Sequence, residues 1–205
     1  MNRSTLAPLL VALMLLLGAC ASAPTPTPTP TPRPTLAPLP CPSEYDPYVD
    51  SEIGFSACYP TGWQASKYED PETKVLGVDF VSPTQESEPL AKRISVRVAP
   101  VSADSSEEEL LESFVMELMN RRSVSGREVG PIAAIVVDGR KAVEDSQEGP
   151  VFSGGQSVQM SGWVAGFPAH QKMWYIAVNG SSESSPEVEA IYREFLSQFH
   201  LVPRP

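Results

Sequence analysis

The sequence predicts an α+β domain in which two amphipathic helices pack on an antiparallel sheet, and three observations carry that prediction. From about Tyr45 to Val202 the apolar pattern shifts repeatedly between strand-like alternation and helical spacing. Hairpin signals join the strand-like runs, where a doubly wound parallel sheet would need long crossovers. Two stretches gather their apolar residues on one helical face, so each must cover an apolar surface, and a sheet supplies one.

Before that domain the chain reads as an export address. Arg3 precedes an apolar run, Leu6 to Leu17, broken only by Pro8 and followed by Gly18, Ala19 and Cys20. This is the charged, apolar, small-residue order of a secretory signal peptide, and it is shorter than the roughly 20 residues of a membrane span. Leu17-Gly18-Ala19-Cys20 resembles the bacterial lipobox. That resemblance implies a lipoprotein signal peptide over residues 1–19 and a diacylglyceryl thioether on Cys20. Each buried methylene contributes about 0.8 kcal/mol, so two or three acyl chains hold a soluble domain at a bilayer.

Pro24 to Pro42 contains nine prolines in nineteen residues. Proline fixes φ and pushes its predecessor to extended geometry, so residues 20–43 are expected to form a polyproline II stalk at about 3.1 Å per residue. The globular domain is expected over residues 44–205. Its acidity narrows the partners. The formal net charge is −10, with 25 acidic residues, none of them before Glu44. Such a surface repels phosphate backbones, so nucleic-acid binding is not expected.

Cys41 ends the stalk and Cys58 lies in an apparent strand. Export favours a disulfide between them, closing a loop worth about 3 kcal/mol. The alternative is a free, buried Cys58 beside an unpaired Cys41. Neither CxxC nor a Cys/His spacing suggests zinc.

Strands are expected at 54–59, 63–68, 75–81, 93–99, 132–138, 141–147, 158–166 and 173–179. Ile94, Val96 and Val98 share one face there, against Ser95 and Arg97 on the other. Asp138-Gly139 is a two-residue hairpin signal, because glycine tolerates positive φ. A second hairpin is expected to turn at Phe167-Pro168-Ala169-His170. The first helix opens at Ser105-Ser106, where either serine has a glutamate three residues on, the capping-box arrangement. Leu110, Leu111, Phe114, Val115, Leu118 and Met119 form its apolar stripe, with Arg121 and Arg122 at the negative end of the dipole. The second helix opens at Ser185-Pro186, a cap followed by proline in the first turn. Val188, Ile191, Tyr192, Phe195, Leu196 and Phe199 form its stripe, with His200 at its end.

The run Gly54-Phe55-Ser56-Ala57-Cys58-Tyr59-Pro60-Thr61-Gly62-Trp63 resembles the opening of the PsbP-like proteins, relatives of the extrinsic subunit of the photosynthetic oxygen-evolving complex. The later elements follow in the family's order, including the hairpin at Val137 to Ala142 and the one reaching Trp174-Tyr175-Ile176. The resemblance spans roughly Tyr45 to Val202 and implies an α/β/α sandwich around a central antiparallel sheet. It implies no single activity, since members serve as assembly factors, adaptor domains and lipoproteins, and fold does not fix function. The charged N-terminal segment of the photosynthetic members has no counterpart here, so an oxygen-evolving role is not expected.

Catalytic chemistry is sparse. His170 sits in an expected turn and His200 at a helix end, neither spaced to a serine or cysteine nucleophile. Gly154-Gly155 lacks the lysine and helix of a phosphate loop. Glu107, Glu108 and Glu109 suit a helix N-terminus and lack calcium-loop spacing. No catalytic residue, metal site or cofactor is therefore assigned. The aromatics leave two readings, core packing or a groove gripping an apolar or carbohydrate ligand, with Trp63, Trp163, Trp174 and Tyr175 as its candidate lining. Tyr68 lies beside a strand as well.

These readings converge on a lipid-anchored domain on the extracytoplasmic face of a bacterial membrane. Its expected role is a non-enzymatic binding or scaffolding module for an envelope protein, with small-molecule capture as the alternative.

Overall fold

The computed structural model describes residues 39–83, 90–125, 128–129, 131–153 and 155–202. The expected signal peptide and Cys20, the expected stalk up to residue 38, and Gly154 lie outside the described residues.

Among the described residues, eleven strands and two α-helices follow one another as β1 (Tyr45–Asp50), β2 (Phe55–Pro60), β3 (Gln64–Glu69), β4 (Leu76–Val81), β5 (Arg93–Pro100), α1 (Glu107–Ser125), β6 (Glu128–Val129), β7 (Ala133–Val137), β8 (Arg140–Ser153), β9 (Gln156–Ala169), β10 (Lys172–Ser181), α2 (Ser185–Ser197) and β11 (His200–Leu201). The large sheet runs β3-β4-β5-β10-β9-β8-β6, with β7 pairing β8, and a small sheet runs β1-β2-β11. Every pairing is antiparallel. The α+β class expected from the sequence is the architecture present. Among the described residues no helix is long and apolar enough to cross a membrane.

One face of the large sheet carries the main core. Val78, Phe80, Ile94, Val96, Trp174, Ile176 and Val178 alternate along β4, β5 and β10 at 0–2% exposure. Val188, Ile191, Tyr192 and Phe195 of α2 join this cluster, as do Phe55 and Ala57 of β2 and Phe199, so α2 and the small sheet share one side. Stacked and edge-on aromatic pairs link the layers, Phe55 with Phe199 at 5.5 Å and Tyr48 with Phe80 at 5.0 Å among them. On the other side α1 lays Phe114 and Leu118 against Met173, with Val143 and Val164 at the margin.

The ends of the helices show how local chemistry selects them. Ser106 rather than Ser105 is the cap of α1: its Oγ accepts from the Glu109 N–H at 3.2 Å, and its own N–H donates to Glu109 Oε2 at 2.8 Å. The apolar stripe of α1 is narrower than the spacing predicts. Met119 is 51% exposed, because the helix meets the sheet along a thin seam through Phe114 and Leu118. α2 begins one residue earlier than a Ser185 cap would place it. A 3₁₀ turn over Ser182–Ser184 leads into it, and Pro186 occupies its first turn.

Three strands lie outside the sequence expectation: β1, β6 and β11. His200 belongs to β11 and not to a helix end, since α2 stops at Ser197 and the chain then pairs His200 with Ser56. The Asp138-Gly139 hairpin is present, with φ of 48° and 73°. The next hairpin turns later than expected, at His170-Gln171 (φ 52° and 57°), because β9 continues to Ala169. Pro168 is tolerated there because it lies beyond the stretch of β9 that pairs β8.

Cys41 and Cys58 form a disulfide with Cα atoms 5.7 Å apart. Cys58 is buried on β2, so the bridge ties the chain just before β1 to the core.

Candidate functional site

The sheet's two faces are treated unequally. Its antiparallel register sets three rows side by side on the face opposite the main core: Gln64, Val81, Arg93, Asn179, Gly162 and Gln147, then Ser66, Asp79, Ser95, Ala177, Val164 and Asp145, then Tyr68, Gly77, Arg97, Tyr175, Gly166 and Val143. α1 covers the β8–β9 end of these rows and reaches Met173 and Tyr175 of β10. Its Phe114 lies against Gly166, where a Cβ would stand 2.3 Å from the ring, and its Arg122 pairs with the buried Asp145. Among the described residues, the β3–β4–β5 end has no helix over it. Polar and small residues occupy it, half-buried on β4 and β5 and exposed on β3. A sheet packed on the core on one side and open and polar on the other offers that open side to a ligand or partner.

Arg97 organises the middle of this face. It donates to both Asp79 oxygens at 2.8 and 2.9 Å and to the Val96 carbonyl at 3.1 Å, and its guanidinium sits 4.4 Å above the Tyr68 ring. Gly77 makes this possible, since a Cβ there would lie 2.8 Å from Arg97 Cδ. Burial alone would raise the Asp79 carboxyl, but the hydrogen bonds from Arg97 and Ser95 outweigh it and hold it below the ordinary value.

Where the open face meets α1, a cavity of about 210 Å³ is lined by Arg121, Gln147, Gly162, Val164, Ala177 and Asn179. Arg121 pairs with Glu117 one helical turn back. Both charges act on the Tyr175 hydroxyl, which burial chiefly, and Glu117 next, push upward while Arg121 pulls it down. A second, wider depression of about 680 Å³ lies between the start of α1 and the β7–β8 turn, lined by Glu107, Glu108, Leu111, Asp138, Arg140 and Lys141. Its charges answer one another, as in the 3.3 Å Arg140–Glu107 pair.

The aromatic groove expected from the sequence is not assembled. Trp174 is 1% exposed, stacked 6.2 Å from Phe167 inside the main core. Trp63 and Trp163 pack at the margin of that same cluster. Tyr175 follows Trp174 on β10 and therefore faces the opposite side, against Phe114. Adjacent strand positions cannot line one groove. Core packing, the other reading of these residues, describes the tryptophans. Of the candidate sites, the disulfide between Cys41 and Cys58 is present, and Cys20 lies outside the described residues. His200 places its Nδ1 3.2 Å from Asp138 Oδ1, a contact that fastens β11 to the β7–β8 turn. Among the described residues no group of three or more His, Cys, Asp or Glu is placed to hold a metal ion.

Of the residues on this face, sequence reasoning named Tyr175 as a candidate groove residue, Tyr68 as an aromatic beside a strand, and Ser95 and Arg97 as polar positions alternating against Ile94, Val96 and Val98, without joining them into one surface. Which strands lie beside β5, and where α1 stops covering the sheet, depend on long-range pairing.

No protein-family model matches the chain, and no curated protein sequence matches it significantly. Solved structures do. Cyanobacterial PsbP (CyanoP) from Synechocystis sp. PCC 6803, known from a solution structure, is similar with a TM-score of 0.55 at 17% identity, over 82% of this chain and 98% of that one. A point mutant of the protein Mog1 reaches 0.50 at 15% identity, over 77% and 96% of the two chains. LpqN, a Mycobacterium tuberculosis protein involved in cell envelope biogenesis, reaches 0.49 at 13% identity, over 78% and 91%. Identities at this level speak for the fold alone. The domain has a PsbP-like fold.

Proposed function

We propose that the chain is a lipid-anchored extracytoplasmic protein, held at a bacterial membrane through acylated Cys20, whose domain serves as a non-enzymatic binding or scaffolding module for an envelope protein. The observation that carries this reading is the open polar end of the large sheet. The large sheet buries one face of β4, β5 and β10 in the main core and, among the described residues, leaves β3, β4 and β5 without a helix on the other face. The PsbP-like fold supports it, because the open face sits on rigid strands and not on loops. The lipobox resemblance and the proline-rich stalk supply the tether.

The test is crosslinking in intact membranes with the full-length chain, comparing variants on and off the open face. Arg93→Glu and Ser66→Arg alter exposed positions of the face, and Met119→Lys alters an exposed position of α1 pointing elsewhere. A partner recovered with the wild type and with Met119→Lys, but lost with the face variants, is the expected result. Recovery insensitive to the face variants, or none at all, overturns the reading. Cys20→Ser should release the protein from the membrane fraction.

A further inference from the structure

The cavity beside Arg121 has features that a general docking surface does not need. At about 210 Å³ it is smaller than the roughly 300–1,000 Å³ of pockets for drug-sized ligands, so it suits one terminal residue of a chain. Its apolar lining is Gly162, Val164 and Ala177, with Met160 and Trp163 beside them. Three polar residues also line it: Arg121 from α1, and Asn179 and Gln147 on the strands either side of Gly162. Within the described residues neither carboxamide has a side-chain hydrogen-bond partner. Arg121 pairs only with its helix neighbour Glu117, an exposed contact that contributes little and leaves guanidinium donors over. Arg93 stands beside Asn179 in the adjacent strand, adding a second positive group to this corner of a chain whose formal charge is −10.

Resting on the binding-module reading above, we propose that this cavity receives the free C-terminal carboxylate of an extended segment of the partner protein. Arg121 supplies the counter-charge to the carboxylate. Asn179 and Gln147, each offering donors and an acceptor, bond the peptide groups that precede it. Val164 and Ala177 receive the last side chain. An aspartate or glutamate side chain presents a carboxylate without a peptide group at the matching distance, so the two carboxamides favour the chain terminus.

The experiment uses the full-length chain in detergent micelles, labelled for amide NMR and titrated with three probes. These are acetyl-Gly-Val with a free carboxylate, the same dipeptide as its C-terminal amide, and acetyl-Asp-amide. The free acid should give saturable shifts at the Gly162, Val164, Ala177 and Asn179 amides and bind at least about tenfold more tightly than either other probe. Arg121→Gln should weaken the free acid about tenfold with the thermal midpoint unchanged, since Arg121 is 61% exposed. Shifts that do not saturate with any probe, equal binding of the amide, or equal binding of the aspartate probe each overturn the proposal. If the probes fail while crosslinking still depends on Arg93 and Ser66, the binding-module reading stands and only the terminal-carboxylate assignment falls.

Discussion

The Arg97 guanidinium spans Gly77 to hold both oxygens of Asp79, at 2.8 and 2.9 Å, with the Tyr68 ring 4.4 Å away. Four strand residues from β3, β4 and β5 thus form one unit on the part of the face that no described helix covers. The pair is partly shielded, Asp79 at 16% and Arg97 at 23% side-chain exposure, so it is neither a loose surface contact nor a fully desolvated one.

Asp79→Asn should therefore destabilise the domain by about 2 kcal/mol at neutral pH, because Arg97 loses a charged acceptor and Ser95 a partner. The folded Asp79 carboxyl lies below its ordinary value of 3.8. Its contribution is complete above that pH and is lost as pH falls through the lower folded value. Urea unfolding of wild type and Asp79→Asn at neutral pH and near pH 3 should show the difference shrinking on acidification. A constant difference would count against the pair as its source.

Reducing the Cys41–Cys58 bond should cost about 3 kcal/mol, the loop-closure value for residues 17 apart. Cys41→Ser tests this without disturbing the core, since Cys58 is the buried partner. The expected result is a lowered thermal midpoint, matched by wild type in reductant and insensitive to reductant in the variant.

Ser161 is fully buried, and within the described residues its hydroxyl has no hydrogen-bond partner. An unpaired buried hydroxyl is a liability of about 1–3 kcal/mol, part of which is recovered by removing it. Ser161→Ala should leave stability unchanged or raise it by about 1 kcal/mol, measured by chemical denaturation. A loss greater than that would reveal a partner for the hydroxyl.

Gly166 and Phe114 should be coupled. A methyl at Gly166 would meet the Phe114 ring at 2.3 Å, so Gly166→Ala is expected to cost about 1–3 kcal/mol through overpacking. Phe114→Leu in the same chain should recover part of that loss. A double-mutant cycle gives the coupling, and additive effects would show that α1 does not rest on this glycine.

Tyr48 should titrate at about 12, raised first by burial and then by Asp50, whose Oδ2 its hydroxyl approaches at 3.2 Å. Ultraviolet titration of wild type against Tyr48→Phe, with folding monitored alongside, should show the missing transition near that pH.

The class of the domain was legible because it rests on local rules. Alternation in Arg93–Pro100 demanded a strand with one buried face, Asp138-Gly139 demanded a tight turn, and Ser106 with Glu109 demanded a helix start. β1, β6 and β11 escaped notice because each is short or carries weak local preference, and Pro47 in β1 obscures the pattern. They exist only because longer strands offer them an edge. The tryptophans could not be divided between core and groove because aromatic residues suit both, and Trp174 is placed only by Phe167 and Phe199 closing over it.

Composition and spacing alone determined that residues 44–202 form an acidic α+β domain, and they raised the expectation of an export and lipidation signal followed by a proline-rich spacer. These are properties of neighbouring residues and need no knowledge of what lies across the molecule. The tertiary structure decided that Cys41 reaches Cys58, that Arg121, Asn179 and Gln147 line one cavity, and that β3, β4 and β5 keep a polar face uncovered. Each of these depends on which strands pair and where α1 stops, and that is set by burying the whole core at once.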